Sequence, residues 1–475
     1  MKTYEDLVAC GENEEKRAEF CLEAIKEFQQ SKSYKDALIA DKYYRKHNVT
    51  IENYEKILYT VTGRSVKDEY SPNHRVKTHF FRRMVIQQAN YILGSGVQLN
   101  KSEQKKKLGK NFDSQAIKAA KIAMVESRAF GYWNNDHLEV FGYCCTDNHA
   151  GFRPLYSEQD AEMKAGIRFW FKYVGAKRIT FMTLYEAKGI SEYKQDIEGK
   201  LVFDGFAKYK KTTSKTPAEG VLASYDSDYN DALPIVPLYA SDTYESELVG
   251  IREAIDSYDL IKSGLANNID EASEIYWLVS NVGGMEDIDL ARFLQRIKTV
   301  HAAATDSQSG TTAEAHTLDI PVEARKQFLE LARTDLYDDM MLIDRRNMSA
   351  AQKTTQELDM AYQPQDDKIN DFEFFLMDFF DAIFALAGVD SEVTLRRNKV
   401  VNKQENTAMV LSAANYISPE CVIRHLDFLT PEEQEEEIKK YEDEQHSRFF
   451  AEETEPEEDP EQDPEQDPEE MEGEE

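Results

Sequence analysis

The chain has 475 residues, with 57 Lys plus Arg against 89 Asp plus Glu, a formal charge of −32. Residues 431–475 alone hold 23 acids and three bases, so 20 of those 32 excess charges sit at the C-terminal end and the first 430 residues are only mildly acidic. With 41% hydrophobic residues, 25 Tyr and 24 Phe, the chain can fill the cores of two to four domains, which excludes wholesale disorder. No apolar run reaches the ~18 residues of a membrane span, because Phe374–Ala387 is broken by Asp378 and Asp381. The opening MKTYEDLVACG carries acids by its fifth residue and lacks the apolar core of an export signal, so the protein is expected to stay where it is made. Five cysteines (Cys10, Cys21, Cys144, Cys145, Cys421) have neither disulfide-framework nor zinc-site spacing and read as reduced cytoplasmic thiols.

The first ~70 residues read as short helices, with Glu15–Gln30 carrying Phe20, Ala24 and Phe28 on one face and a second pattern over Ala37–Tyr44. In SPNHRVKTHFFRRMVIQQANYILG, Pro72 suits the first turn of a helix that continues through Phe80, Met84, Gln88 and Tyr91 and stops at Gly94. The lysines of 101–110 read as the solvated start of a helix. Between Trp133 and Lys211 the pattern alternates, predicting strands over 138–143, 166–174, 178–185, 189–193 and 200–209 in an antiparallel meander, followed by a loop over 210–229.

After LPIVPLY, apolar residues at Ile251, Ile255, Tyr258, Ile261, Leu265, Ile269, Ala272, Tyr276 and Val279 predict one amphipathic helix over 246–283, roughly 57 Å long. Gly283 and Gly284 stop it, a short helix over 287–298 follows, and a small, polar, β-prone stretch leads to Pro321. Val322, Leu329, Ala332 and Leu336 mark a return helix, residues 338–349 interrupt it, and 350–387 reads helical around Pro364. Phe374–Leu386 is the expected core stripe of that element. Residues 405–450 hold two or three helices with Pro419 and Pro431 at their starts. Beyond Ala451, fifteen acids, no bases and three DPE repeats predict a disordered tail.

The chain contains no phosphate-binding glycine loop, no zinc-type ligand set and no nucleophile elbow, so the expectation is a non-enzyme without cofactor or metal. Glu186 and Lys188, with Asp160 or Asp204, form the weak triplet of a metal-dependent nuclease, which stands as the enzymatic alternative. His74, His79, Arg75, Lys77, Arg82 and Arg83 cluster in sequence but spread over more than one helical face, favouring a structural role. Arg345 and Arg346, in a loop between two helices, are open between DNA contact and an ion pair with Asp339 or Asp344.

The order of segments, SPNHRVKTHFFRRMVIQQANYILG, then GIRFWFKYV and RITFMTLYEAKGISEY, then REAIDSYDLIKSGLANNIDEASEIYWLV and DIPVEARKQFL, resembles the portal proteins of tailed double-stranded DNA bacteriophages over roughly residues 35–400. That resemblance implies an α+β subunit of a homo-oligomeric ring, usually of twelve copies, at one capsid vertex, around a channel for genome packaging and ejection. It implies a wing over 1–245, a first stem helix over 246–282, a clip over 283–320, a second stem helix over 321–338, a tunnel loop over 339–349, a kinked wing helix over 350–388, crown-like helices over 389–450 and an acidic tail over 451–475. The implied sites are channel contacts at Met341, Asp344, Arg345, Arg346 and Asn347, and partner contacts on the clip at Arg292, Arg296, Lys298, His301 and Asp306. Subunit packing along the stem is implied for Ile255, Tyr258, Ile261, Leu265 and Ile269. The implied partners are further copies of the chain, weakly and nonspecifically bound double-stranded DNA, the terminase motor, head-completion or adaptor proteins, and capsid and scaffold proteins, with no membrane. The implied location is the virion, after assembly in the host bacterial cytoplasm. A monomeric acidic scaffold or adaptor is the remaining alternative. A net negative conduit suits a cargo that must slide, since each neutralised phosphate adds affinity to be broken at every step.

Overall fold

The computed structural model describes residues 1–59, 64–68, 71–175, 177–196, 199–215, 222–227, 232–272, 276–280, 312–316, 321–344, 346, 355–399, 403–426, 429 and 431–452. The chain divides into two compact units, one of Met1–Asn347 with Ala361–Lys399, the other of Met348–Met360 with Val400–Glu475. Helix and strand are mixed throughout the first, and the described part of the second is helical.

After a short helix, Tyr4–Ala9, come α1 (Glu14–Gln30), close to its predicted span, and α2 (Lys32–Tyr44), which starts five residues before the predicted pattern. Asn13 caps α1 by accepting from the Lys16 amide at 3.1 Å. Ser31 serves both helices, donating to the Phe28 carbonyl at 2.6 Å and accepting from the Tyr34 amide at 3.3 Å, so the chain turns sharply with its end groups satisfied. The main sheet has eight strands: β1 (Arg128–Asn134), β2 (His137–Gly142), β3 (Gly151–Tyr156), β4 (Met163–Val174), β5 (Lys177–Glu186), β6 (Gly189–Gln195), β7 (Leu201–Ala207) and β8 (Ile235–Tyr239). Their spatial order is β7-β6-β5-β4-β3-β2-β1-β8. The predicted antiparallel meander holds over β4–β7, whereas β1, β3 and β8 lie outside the five expected strands and β3 separates β2 from β4, meeting β2 in parallel at Gly142 and Gly151. Pro237 is tolerated in β8 because that strand forms a sheet edge. The stretch expected as a loop after Lys210 is a hairpin, Lys210–Lys215 against Leu222–Ser227.

The core sits between the sheet and its helices. Rings of Phe130, Phe141, Phe152 and Tyr185 lie 4.5–6.4 Å apart between centroids. Helix α3 (Phe80–Leu93) is followed by α4 (Phe112–Glu126), which packs on α3, β1 and β2 with an apolar face of Phe112, Ala116, Ala119, Ala120 and Ala123. Farther along the chain, α5 (Arg252–Ala272) and α6 (Val322–Asp339) precede α7 (Thr355–Ala387). Helix α7 buries Ile369, Phe372, Leu376, Phe379, Phe380, Ile383 and Phe384, a run of three- and four-residue steps. The Phe379 ring lies where a side chain on Gly131 would stand, 2.6 Å from an added Cβ. Phe374, expected in this stripe, is 71% exposed, because it stands two residues from both Phe372 and Leu376 and so faces the opposite way.

Two expectations give way to tertiary structure. Residues 72–79 are not the first turns of a helix, which begins only at Phe80. The helix predicted over 246–283 runs only Arg252–Ala272, about 31 Å at 1.5 Å per residue. Gly250, at φ +90°, stands just before it, and Tyr276–Ser280, rich in aromatic and β-favouring side chains, pairs with Thr312–His316 as strand. The second unit has helices Lys403–Ala413, Pro419–Arg424 and Pro431–Glu452, with both prolines at first turns as predicted. Among the described residues no helix is long and apolar enough to cross a membrane, and all five cysteines are free.

Candidate functional site

Helix α5 is seated on its own subunit by polar groups. Side chains four apart on a helix share a face, and Asp259, Ser263 and Asn267 form such a row, each nearly or fully buried. Residues 71–79 cross this row as an extended strap. The Thr78 amide donates to Asp259 Oδ2 at 3.3 Å, the Val76 amide to Ser263 Oγ at 3.0 Å and the His74 amide to Asn267 Oδ1 at 2.6 Å. The register follows from two repeats: four helical residues rise about 6.0 Å and two extended residues about 6.6 Å. Alternate strap amides therefore meet every fourth helical residue, running in opposite directions. This polar ladder explains why residues after Pro72 do not turn into helix: their amides already have acceptors on α5.

Further contacts fix the same helix. Asp256 accepts from Tyr43 Oη at 2.6 Å and Thr50 Oγ1 at 2.7 Å, and Asn48 Nδ2 donates to Asp259 Oδ2 at 3.0 Å. Burial raises the Asp259 carboxyl above the usual carboxylate range, and its Oδ1 has no partner. The basic residues of the strap and the start of α3 are absorbed locally. His74 pairs with Asp270, Arg75 donates to the Glu52 and Tyr54 carbonyls, Lys77 pairs with Glu52, and Arg82 and Arg83 lie over the Tyr44 and Phe80 rings.

Helix α6 packs on α5, and the chain then turns through Met340–Asp344. Met340, Leu342 and Ile343 are buried, while Met341, at φ +53°, is exposed. Gln87 Nε2 donates to the Ile343 carbonyl at 3.0 Å and Lys368 Nζ to the Met340 carbonyl at 3.3 Å. Asp344 is gripped by both arms of Arg333, at 2.7 and 2.8 Å, and this pairing holds its carboxyl below the usual range. The ion pair left open for Arg346 with Asp344 is thus made by Arg333, a residue the sequence did not single out. The Arg346 side chain is exposed, and its amide donates to Asp344 Oδ1 at 3.1 Å.

The stem-packing residues fall into two groups. Ile255 is 2% exposed, covered within its own chain, whereas Tyr258, Ile261 and Leu265 are half-buried and Ile269 is 53% exposed. Leu260 on α5 and Val322, Phe328 and Leu331 on α6 are also exposed, Leu331 at 60%. The helix pair thus presents one face made polar by the strap and other faces with uncovered apolar side chains. Arg345, Asn347, Arg292, Arg296, Lys298, His301 and Asp306, and the expected 287–298 helix and acidic tail, lie outside the described residues.

The nuclease triplet does not assemble an open site. Glu186 forms a buried ion pair with Arg17 and its carbonyl accepts from Tyr209 Oη at 2.6 Å, so its carboxylate is occupied by a guanidinium, with Lys188 3.8 Å away. The family described as phage portal protein, SPP1 Gp6-like, matches residues 25–448. A portal protein of Clostridium phage phiCD119 is 20% identical over 436 residues, which cover 87% of this chain and 91% of that protein.

Proposed function

The chain belongs to the phage portal protein family, SPP1 Gp6-like, and from that membership we propose how this phage portal protein forms and lines a DNA conduit. Copies assemble into a closed ring, of twelve in the usual arrangement, at one capsid vertex of the virion. Double-stranded DNA passes through its axis during packaging and ejection, and the ring itself is structural, with ATP hydrolysis supplied by a separate terminase motor. Helices α5 and α6 are the stem, residues 283–320 the clip that meets the motor and later the head-completion or adaptor proteins, and residues 339–349 the tunnel loop. The sheet and its helices form the wing, α7 lies behind the tunnel loop, and the helices from Lys403 onward form the crown. Capsid and scaffold proteins meet the outside of the ring during assembly in the host cytoplasm.

The observation that carries this reading is the uncovered apolar set Leu260, Ile269, Phe328 and Leu331 on a helix pair whose polar face is already used. A neighbouring copy covers such a set by a heterologous contact, and repeated rotation closes the ring. Around the channel, a net negative wall repels phosphate at short range, the screening length being about 8 Å, so Arg345 and Arg346 touch DNA without trapping it.

Sedimentation and negative-stain imaging of the purified chain test assembly: annular particles are expected rather than a 54.7 kDa monomer. Ile269→Asp with Leu331→Asp should leave the subunit folded and shift it to the monomer, and rings that persist in this variant would remove the stem from the interface. Arg345→Ala with Arg346→Ala should leave rings intact and reduce DNA packaging or retention. Packaging at the unaltered level would remove the arginines from the channel role.

A further inference from the structure

A cluster outside the stem has the makings of a cation site. Asp41 lies in the last turn of α2, Glu126 is the last residue of α4, and His149 stands in the loop between β2 and β3. One ligand atom from each lies within 4.8 Å of the others, and all three side chains are nearly buried. The aligned peptide dipoles place partial negative charge at a helix C-terminus. Here two such ends converge, each carrying a buried carboxylate where a carboxylate is least favoured.

Cationic side chains stand beside these groups, with Arg45, Arg82, Lys118 and Lys121 lining the cavity these groups share. Arg45 holds Asp41 at 2.9 Å and His149 Nε2 lies 2.9 Å from Glu126 Oε1. His149 Nδ1 is buried without a partner. What fixes the ring instead is its close approach to Gly142, where an added Cβ would stand 2.3 Å from Nδ1 and Cε1 and 2.9 Å from Glu126 Oε2. Glu126 is oriented in turn, its Oε2 accepting from the Cys144 amide at 2.7 Å. This is an oriented nitrogen beside two oriented carboxylates, the arrangement in which outer hydrogen bonds hold metal ligands in place. All three residues also line a cavity of about 700 Å³, which gives an entry path and room for a water as a further ligand.

We propose that Asp41, Glu126 and His149 bind a divalent cation of the zinc class, which ties α2, the end of α4 and the β2–β3 loop together. Imidazole with carboxylates suits zinc, whereas an all-oxygen set would suit magnesium or calcium. No motif marks the site in the sequence because its ligands come from three distant segments.

The test uses the full chain, stripped with a chelator and titrated with zinc chloride, with magnesium chloride alongside. The expected result is uptake of one zinc per chain, a rise in Tm on zinc addition, and visible absorption when cobalt replaces zinc. Cobalt spectroscopy needs no variant, so its absence in the unaltered protein overturns the site regardless of how variants fold. His149→Gln should abolish uptake, and Asp41→Asn should weaken it roughly 10-fold or more. Undiminished uptake by His149→Gln, uptake that disappears instead in Cys421→Ser, or magnesium binding as tight as zinc would each overturn the assignment.

Discussion

Helices α4 and α5 are held by opposite kinds of buried face. Helix α4 offers Phe112 and a row of alanines to the sheet and to the Phe380 and Phe384 rings, while α5 offers Asp259, Ser263 and Asn267 to the amides of the strap. Apolar burial is nondirectional and grows with area, so a face like that of α4 yields stability but tolerates small shifts. A hydrogen bond contributes only about 1 kcal/mol net, yet sliding the strap by one residue would break all three rungs at once. The ladder therefore sets the position of α5 more than it sets the stability of the unit. That division suits a portal subunit, whose stem must stand at one angle if the ring is to close.

The comparison breaks most visibly in the apolar region. Phe380→Ala removes a fully buried ring between Phe112, Phe379 and Phe384 and should cost about 3–5 kcal/mol in urea unfolding. A loss under about 1 kcal/mol would mean that the α7 core is not packed as described. Arg333→Ala comes next, at about 2 kcal/mol, because it leaves the Asp344 carboxylate part-buried without its donor pair. Pairing lowers the folded pKa of Asp344, so its contribution is present above the ordinary carboxylate value and is lost as pH falls through the folded one. The gap between wild type and Arg333→Ala should accordingly narrow below about pH 4, and a gap independent of pH would show that the ion pair contributes nothing. Ser263→Ala should cost about 1 kcal/mol by orphaning the Val76 amide, while exposed Ser257→Ala stays within about 0.5 kcal/mol. Equal values for the two serines would remove the ladder.

Residues whose partners are near in sequence were readable, and those answering to distant segments were not. The periodicities of α1, α2 and α6, the alternation of β4 and β5 and the prolines at 419 and 431 depend on local chemistry, and they appear where expected. Pro72 carried a valid local signal for a helix start that the ladder overrode 180 residues away. The polar row on α5 was hard to read because Asp, Ser and Asn at helical spacing ordinarily face water, and the helix carries other polar residues, such as Glu253, Lys262 and Asp270, that do so. Tyr276 and Val279 continued the helical step, but they and Trp277 and Leu278 between them found a strand partner in Thr312–His316. Arg333 escaped notice because nothing in the local sequence pairs it with an acid eleven residues later.

The smallest effect is the sharpest test of the ladder's chemistry. Asp259 is fully buried, and among the described residues only Asn48 and the Thr78 amide bond to its Oδ2, with Lys262 acting on it through charge rather than a hydrogen bond. Burial raises its folded pKa above the unfolded value, so the associated stability is present below the ordinary carboxylate range and is lost as pH rises through the folded pKa. Asparagine keeps an oxygen for both donors and carries no charge at any pH. Asp259→Asn should therefore stay within about 1 kcal/mol of wild type at neutral pH, and its stability relative to wild type should rise from acid to neutral pH. Thermal unfolding of both proteins across that range measures the difference directly. If the variant instead loses more stability the higher the pH, the ladder needs an ionised carboxylate, and α5 is held by charge rather than by a neutral hydrogen-bonded register.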